Sequence, residues 1–126
     1  MLRDDVVTSY GMSWEERRKI IERIREVLES LDFVEYAIVY GGFVGSKYFR
    51  DIDIGIFVSK DKPSLDEELQ YAFKVEEALR KKLKLQIPFD VRVLNNAPKE
   101  FVENILENHI VVKSNKKNKC KLKAQT

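Results

Sequence analysis

Two stretches of the chain carry apolar residues at helical spacing, and both open with a Ser-x-x-Glu capping box, a common signal for a helix N-terminus. They cover residues 13–31 and 64–84. The first is apolar at Ile20, Ile24, Val27, Leu28 and Leu31. The second is apolar at Leu65, Leu69, Ala72, Phe73, Leu79 and Leu83. We therefore expect two amphipathic helices, each burying one face.

Shorter runs between and after these helices predict β-strands. Residues 34–40 (VEYAIVY) are rich in β-branched and aromatic side chains, and residues 51–58 (DIDIGIFV) alternate between polar and apolar. Residues 87–94 (IPFDVRVL) also place apolar side chains on one face and polar ones on the other. A short helix is expected after Pro98, and residues 110–112 predict one more short strand.

The order helix, strand, strand, helix, strand, helix predicts an α+β domain, in which a small mixed β-sheet is covered by helices. With 126 residues, the chain has room for one such domain. We assign it to residues 1–112 and expect residues 113–126 to form a disordered tail. Residues 6–12 have no clear pattern, and the sequence assigns them no role.

Composition excludes several classes of protein. Hydrophobic residues make up 44% of the chain and charged residues 35%, a balance typical of a globular domain with a charged surface. No stretch approaches the roughly 18 consecutive apolar residues of a membrane helix, and the N-terminus lacks the apolar segment of a secretory signal. Cys120 is the only cysteine, which excludes an internal disulfide and a cysteine-clustered metal site. These features predict a cytoplasmic protein.

The charge is distributed unevenly along the chain. The net charge is +2, but residues 113–126 contain six lysines and no acid, so residues 1–112 carry a net charge of −4. A mildly acidic domain is a poor general binder of nucleic acid, and direct nucleic-acid binding by it is not expected. The tail could contact phosphate through its lysines, although a solvated end is the simpler interpretation. A tail that bound nucleic acid would do so with a strong salt dependence, which would disappear on its removal.

Three aspartates lie on the polar faces of two predicted strands. Asp51 and Asp53 are two residues apart, so they project from one face about 7 Å apart at the backbone. Asp90 lies on the polar face of the strand at residues 87–94. Three converging carboxylates could hold two Mg²⁺ ions about 3.5–4 Å apart, because Mg²⁺ prefers oxygen ligands. An isolated Asp-x-Asp is also common in turns and arises by chance, so the pair alone does not establish a metal site.

A glycine pair upstream of the aspartates makes the pattern more specific. Gly41 and Gly42 follow the strand at residues 34–40 and precede Asp51 by about ten residues. Glycine lets backbone amides approach a phosphate closely and allows a helix to start there. The segment VYGGFVGSKYFRDIDIGIFV, within residues 38–58, resembles the signature of the DNA polymerase beta nucleotidyltransferase superfamily. The short chain is similar to its minimal nucleotidyltransferase domains, over roughly residues 15–112.

The resemblance implies a fold, an activity and a role for each matching residue. The fold would be polymerase beta-like, and the reaction would be in-line attack of an acceptor oxygen on the α-phosphorus of a nucleoside triphosphate. Gly41 and Gly42 would contact the β- and γ-phosphates. Asp51 and Asp53 would bind two Mg²⁺ ions, and Asp90 would bind the catalytic ion and help activate the acceptor. Many members of the family have serine where this chain has Gly42.

Other residues near the motif keep two interpretations. Lys47 and Arg50 lie between the turn and the acids, where each would either meet the triphosphate or be solvated in a loop. Arg92 is expected to pair with an acid, and His109 to interact with the carbonyls at a helix end. Four aromatic residues are expected in the core or an interface rather than in a base-stacking platform. These are Tyr36, Tyr40, Tyr48 and Phe49.

Two functions of different classes remain. The first is an enzyme that transfers a nucleoside monophosphate, AMP from ATP, to a protein acceptor. Many minimal nucleotidyltransferase proteins are antitoxins that modify a toxin of the HEPN class, so the resemblance implies a HEPN-type partner. A second copy of the chain could also supply the acceptor. The alternative is a non-catalytic binding module that neutralises its partner by covering it.

Overall fold

The computed structural model describes residues 9–114, which form four helices and six strands. In chain order these are β1 (Tyr10–Gly11), α1 (Trp14–Glu29), β2 (Val34–Tyr40), α2 (Gly42–Gly45), β3 (Tyr48–Phe49), β4 (Ile52–Val58), α3 (Leu65–Leu83), β5 (Phe89–Val93), α4 (Lys99–Leu106) and β6 (His109–Lys113). The division into a domain over residues 1–112 and a tail stays a prediction, because residues 115–126 lie outside the described residues.

The main sheet has four strands in the order β5-β4-β2-β6. β2 pairs antiparallel with β4 and with β6, whereas β4 and β5 are parallel and are connected through α3. β1 and β3 pair separately as a short antiparallel ribbon. This mixed sheet with its helices is the α+β architecture that the order of elements predicts, and the prediction is confirmed.

The two faces of the sheet pack differently. Ile52, Ile54 and Ile56 of β4 are fully buried in the larger apolar cluster, which also contains the buried faces of α1 and α3. The opposite face forms a smaller cluster around Tyr40 and Leu94, closed by side chains of α4 such as Phe101. Because side chains alternate along β4, Asp53 lies on this second, less covered face.

Both long helices start where the capping boxes predict. The side chains of Ser13 and Ser64 each accept a hydrogen bond from the backbone N–H of the glutamate three residues later. The side chain of that glutamate accepts a hydrogen bond from the backbone N–H of the serine. α1 ends at Glu29, two residues before the predicted end, and α3 ends at Leu83 with Lys84 in a left-handed conformation. No helix among the described residues is long and apolar enough to cross a membrane.

The predicted apolar face of α3 is wrong in its first half. Leu65, Leu69 and Phe73 are 60–71% exposed, whereas Val75, Leu79 and Leu83 are buried. At 100° per residue, Leu69 and Phe73 lie roughly 80° and 120° around the helix axis from Leu79. Leu69 and Phe73 therefore lie along a flank of the helix. Leu65, about 40° from Leu79, is instead the first residue of α3 and is exposed at its end.

Three short elements, β1, α2 and β3, were not predicted, whereas β6 extends the short strand expected at residues 110–112. β1 lies in the segment that the pattern left unassigned, and its pairing places Tyr10 opposite Phe49 of β3. α2 is a four-residue helix that starts at Gly42. At the other end of the described chain, Lys113 belongs to β6, and its ammonium group donates hydrogen bonds to the carbonyls of Leu28 and Leu31. These contacts hold β6 against the end of α1.

Candidate active site

Three carboxylates meet at one end of the β4–β5 pair. Asp51 precedes β4, and Asp53 lies directly opposite Asp90 in the parallel register. One carboxylate oxygen from each residue lies within 4.8 Å of the other two, and all three residues are half-buried. The structure thus brings together the three acids that the sequence pattern singles out.

The surroundings of Asp53 disfavour its charged form. Burial, and then the charges of Asp51 and Asp90, raises the pKa of Asp53 from 3.8 to about 6, although Arg92 acts in the opposite direction. Burial and the charge of Asp53 raise the pKa of Tyr40 to about 12, so its phenol is neutral at physiological pH. An oxygen-only, strongly acidic ligand set fits Mg²⁺, whose charge would offset this repulsion.

Removing the charge of Asp53 is expected to stabilise the fold at neutral pH. Its carboxyl binds its proton more tightly in the folded than in the unfolded state, so stability falls as the pH rises from about 4 to about 6. In EDTA at pH 7.5, Asp53→Asn should raise the free energy of unfolding by about 1–2 kcal/mol, a value discounted because the carboxyl is half exposed.

Urea unfolding at pH 7.5 and pH 3.5 measures this difference. The two proteins should have similar stability at pH 3.5, where Asp53 is protonated in the folded state and mostly protonated in the unfolded state. Asp32→Asn is the matched control, because Asp32 is exposed and lies outside the acidic cluster. This variant should differ in stability between pH 7.5 and pH 3.5 by the same amount as the wild type. A loss of stability in Asp53→Asn at pH 7.5 would contradict the prediction.

Gly41 has a conformation that only glycine adopts readily. Its φ is 80° and its ψ is −156°, and a Cβ atom at this position would lie 2.2 Å from Oδ2 of Asp53. Its carbonyl accepts hydrogen bonds from the N–H groups of Val44 and Gly45. The turn and the acidic cluster are therefore in direct contact.

A cleft of about 480 Å³ opens beside the acids. It is lined by Ser9, Gly42, Tyr48, Phe49, Arg50, Asp51 and Asp53. Arg50 therefore borders the cleft, which is the position that contact with a bound triphosphate requires. The ammonium of Lys47 instead lies over the ring of Tyr48, 5.6 Å from its centroid, and Lys47 does not line the cleft.

The aromatic residues divide into two groups. Tyr36, Tyr40 and Phe49 are buried, which confirms their prediction as core residues. Tyr48 is 60% exposed and forms a wall of the cleft, so it is not a core residue, and its alternative assignment to an interface stays a prediction. The reason is the two-residue strand β3, in which Phe49 points into the core and its neighbour must point outward.

Two polar residues have the structural partners expected of them. Arg92 donates a hydrogen bond to Oδ2 of Asp90 at 3.5 Å, and its guanidinium lies over the ring of Phe101. His109 Nδ1 donates to the carbonyl of Leu106 at 2.7 Å, which ties the start of β6 to the end of α4. Arg92 therefore contributes positive charge at the edge of the acidic cluster.

Sequence reasoning missed Arg17, which is the only buried charged residue in the described part of the chain. It occupies the apolar face of α1, three and seven residues before Ile20 and Ile24. The sequence signal that indicates its burial is an arginine at helical spacing with the isoleucines of the apolar face. Its hydrogen bonds reach the segment after Gly42.

A carboxylate triad at one end of two adjacent strands, next to a glycine turn, is the arrangement that the resemblance to nucleotidyltransferases predicts. The family described as "Polymerase beta, Nucleotidyltransferase" matches residues 22–118, and the chain belongs to it. No curated protein matches the sequence. The chain is thus placed by its family and by its fold.

Three solved structures with a similar fold are toxin–antitoxin complexes. In one, a tri-AMPylated HEPN toxin of Shewanella oneidensis is in complex with an MNT antitoxin; the similarity has a TM-score of 0.59 at 11% identity, over 84% of this chain and 79% of the other. In another, a toxin–antitoxin complex with AMP-PNP, the TM-score is 0.60 at 12% identity, over 81% and 79% of the chains. The toxin–antitoxin complex MntA–HepT gives a TM-score of 0.58 at 11% identity, over 83% and 79%.

Proposed function

We propose that this protein is a Mg²⁺-dependent nucleotidyltransferase that transfers AMP from ATP to a protein acceptor. The observation that carries the proposal is the contact between the Gly41 turn and the triad of Asp51, Asp53 and Asp90. Family membership supports the reaction class. Similar structures that contain an AMPylated toxin or AMP-PNP support the choice of the adenine nucleotide.

The reaction forms a bond between an acceptor oxygen and the α-phosphorus and breaks the bond between the α-phosphorus and its bridging oxygen. Pyrophosphate leaves with that oxygen, and the acceptor hydroxyl loses its proton. Asp51 and Asp53 would hold two Mg²⁺ ions, and Asp90 would hold the catalytic one. Bound Mg²⁺ would neutralise charge on the reacting phosphate oxygens.

The residues of the chain have separate tasks in this scheme. The carboxylate of Asp90 accepts the acceptor's proton, directly or through a water molecule. The backbone amides of Gly41 and Gly42 bind the β- and γ-phosphates, and Arg50 adds positive charge at the cleft wall. Lys47 has no assigned contact with the nucleotide, because its ammonium lies over Tyr48.

We propose a toxin of the HEPN class as the acceptor, which would make this protein the antitoxin of a HEPN/MNT-type pair. The support comes from complexes of similar structures with such toxins. The cytoplasmic location stays a prediction. The alternative function, a binding module that covers its partner without catalysis, is favoured by one observation, the glycine at position 42 where many relatives have serine.

Calorimetry tests the proposal directly. ATP, GTP, CTP and UTP are titrated into the protein with Mg²⁺ and again with EDTA. We expect one nucleotide, ATP, to bind in Mg²⁺ and to lose its binding in EDTA. If no nucleotide binds in Mg²⁺, the transferase proposal fails and the covering function takes its place.

Gly42→Ser is expected to strengthen ATP binding. The residue lines the cleft, so a serine hydroxyl could donate one hydrogen bond to a phosphate oxygen, and one such bond corresponds to about a two- to tenfold lower Kd. Gly42→Ala is the matched control, since its Cβ meets the same neighbour, Cβ of Phe49 at 3.3 Å. Equal Kd values for the two variants would show that the hydroxyl makes no such bond.

A further inference from the structure

Arg17 of α1 is 1% exposed, although it carries a full positive charge. Burying a guanidinium is costly unless its N–H groups are hydrogen-bonded. Arg17 Nε donates to the carbonyl of Met12 at 2.9 Å. Its Nη1 and Nη2 reach the segment after the glycine turn, which lies about 30 residues along the chain.

Three backbone carbonyls of that segment accept from this one side chain. Nη1 donates to Phe43 at 3.0 Å and to Ser46 at 2.6 Å, and Nη2 donates to Lys47 at 2.7 Å. Aromatic rings hold the guanidinium plane in place: its central carbon lies 4.5 Å from the centroid of Trp14 and 4.8 Å from that of Phe49. The guanidinium is thus fixed on its edges and on its faces.

These contacts compensate for the shortness of α2. A four-residue helix leaves most of its carbonyls without a helical partner and is not stable by itself. Its own backbone supplies only the bonds from Val44, Gly45 and Ser46 back to the glycine pair. Arg17 binds the carbonyl of Phe43 within α2 and those of Ser46 and Lys47 just after it, and the segment continues directly into the cleft wall at residues 48–51.

We propose that Arg17 is a positioning residue, which holds residues 42–47 in the conformation that binds the triphosphate. This deepens the proposed function and rests on it for the identity of the ligand. Arg17 does not line the cleft and acts only through the backbone of the turn and α2. Lysine cannot replace it, since an ammonium is a compact group that cannot span the carbonyls of Phe43, Ser46 and Lys47 in the way a planar fork does.

Arg17→Lys tests the proposal, with Arg18→Lys as the matched control, because Arg18 is an exposed arginine on the same helix. The first readout is amide hydrogen exchange without nucleotide. Exchange at residues 42–47 should accelerate about tenfold or more in Arg17→Lys, and the amides of α3 and β2 should keep their wild-type rates. The second readout is ATP titration in Mg²⁺, where Kd should rise about tenfold and the stoichiometry should stay at the wild-type value.

Other results overturn the proposal. If folded Arg17→Lys has wild-type exchange at residues 42–47 and a wild-type Kd for ATP, Arg17 does not position these residues. Faster exchange throughout, with lower stoichiometry and unchanged Kd, would mean that Arg17 only stabilises the fold. If wild-type protein binds no ATP, the proposed function fails separately, and the exchange pattern still decides whether Arg17 orders residues 42–47.

A second variant covers the case in which Arg17→Lys does not fold. Trp14 is 48% exposed and stacks on the guanidinium, so Trp14→Leu removes one face contact and leaves the charge and its hydrogen-bond partners in place. Exchange at residues 42–47 should accelerate about twofold to fivefold, again without a change in α3. Wild-type exchange in this variant would overturn the proposal.

Discussion

Replacing both Asp51 and Asp53 with asparagine is expected to lower AMP transfer by about 1,000-fold or more and to abolish Mg²⁺-dependent ATP binding. Metal-assisted stabilisation of charge in phosphoryl transfer contributes several kcal/mol to the rate, and each 1.36 kcal/mol is a factor of ten. Asparagine keeps the size of the side chain but removes the negative charge that would hold the cations. The measurement is transfer of label from α-³²P-ATP to the acceptor, together with calorimetry.

The fold should survive this change, which makes the loss of activity interpretable. Burial, and then the charges of Asp51 and Asp90, raises the pKa of Asp53, so removing negative charge from the cluster should not destabilise the fold in the absence of metal. Asp32→Asn, an exposed aspartate outside the site, serves as the control and should retain wild-type activity. Transfer within tenfold of wild type in the double variant would rule out the assigned metal ligands.

The same variant separates the two proposed functions. An enzyme that neutralises its partner by modifying it should lose this ability with Asp51 and Asp53. A module that only covers its partner should neutralise it equally well in both forms, because neither asparagine changes the shape of the surface. Growth of cells that express the partner with either form of this protein is the readout.

Much of the fold follows from local patterns that a sequence reveals. Ser13 and Ser64 start helices because their side chains satisfy backbone N–H groups, and this effect requires only residues within one turn. Asp53 could be placed beside a metal because strict alternation with isoleucines in β4 leaves it on the opposite face. Its alignment with Asp90 depends on the register of β4 and β5, which the pattern did not specify.

Features that depend on tertiary contacts could not be read in this way. Leu69 and Phe73 have helical spacing, yet they are exposed, because the orientation of α3 is set by the sheet and by α1. Arg17 would ordinarily be assigned to the surface, and its burial depends on carbonyls about 30 residues away. The strands β1 and β3 exist only as a pair and have too few residues for a periodic pattern.

Gly41→Ala is expected to lower AMP transfer by about 100-fold, although it adds a single methyl group. The alanine Cβ would lie 2.2 Å from Oδ2 of Asp53, so either the carboxylate or the turn must move. Misplacing a reacting or binding group by about 1 Å can cost a factor of about 100 in rate. The backbone conformation adds strain of about 1–3 kcal/mol, because φ is 80° and ψ is −156°.

Gly45→Ala is the matched control for this variant, because it adds the same methyl group to the same short segment. There the new Cβ would lie 2.2 Å from Nδ2 and 3.4 Å from Cγ of Asn108, a flexible side chain outside the acidic cluster, and the backbone has no positive φ. Transfer assays and thermal unfolding on both proteins separate a loss of activity from a loss of stability. Gly45→Ala should keep activity within about threefold. Gly41→Ala should lose activity even at temperatures where it is fully folded. The contact between Gly41 and Asp53 is the proposed physical link between phosphate binding and the metal site. Near-wild-type transfer by folded Gly41→Ala would therefore mean that the turn and the triad do not act together.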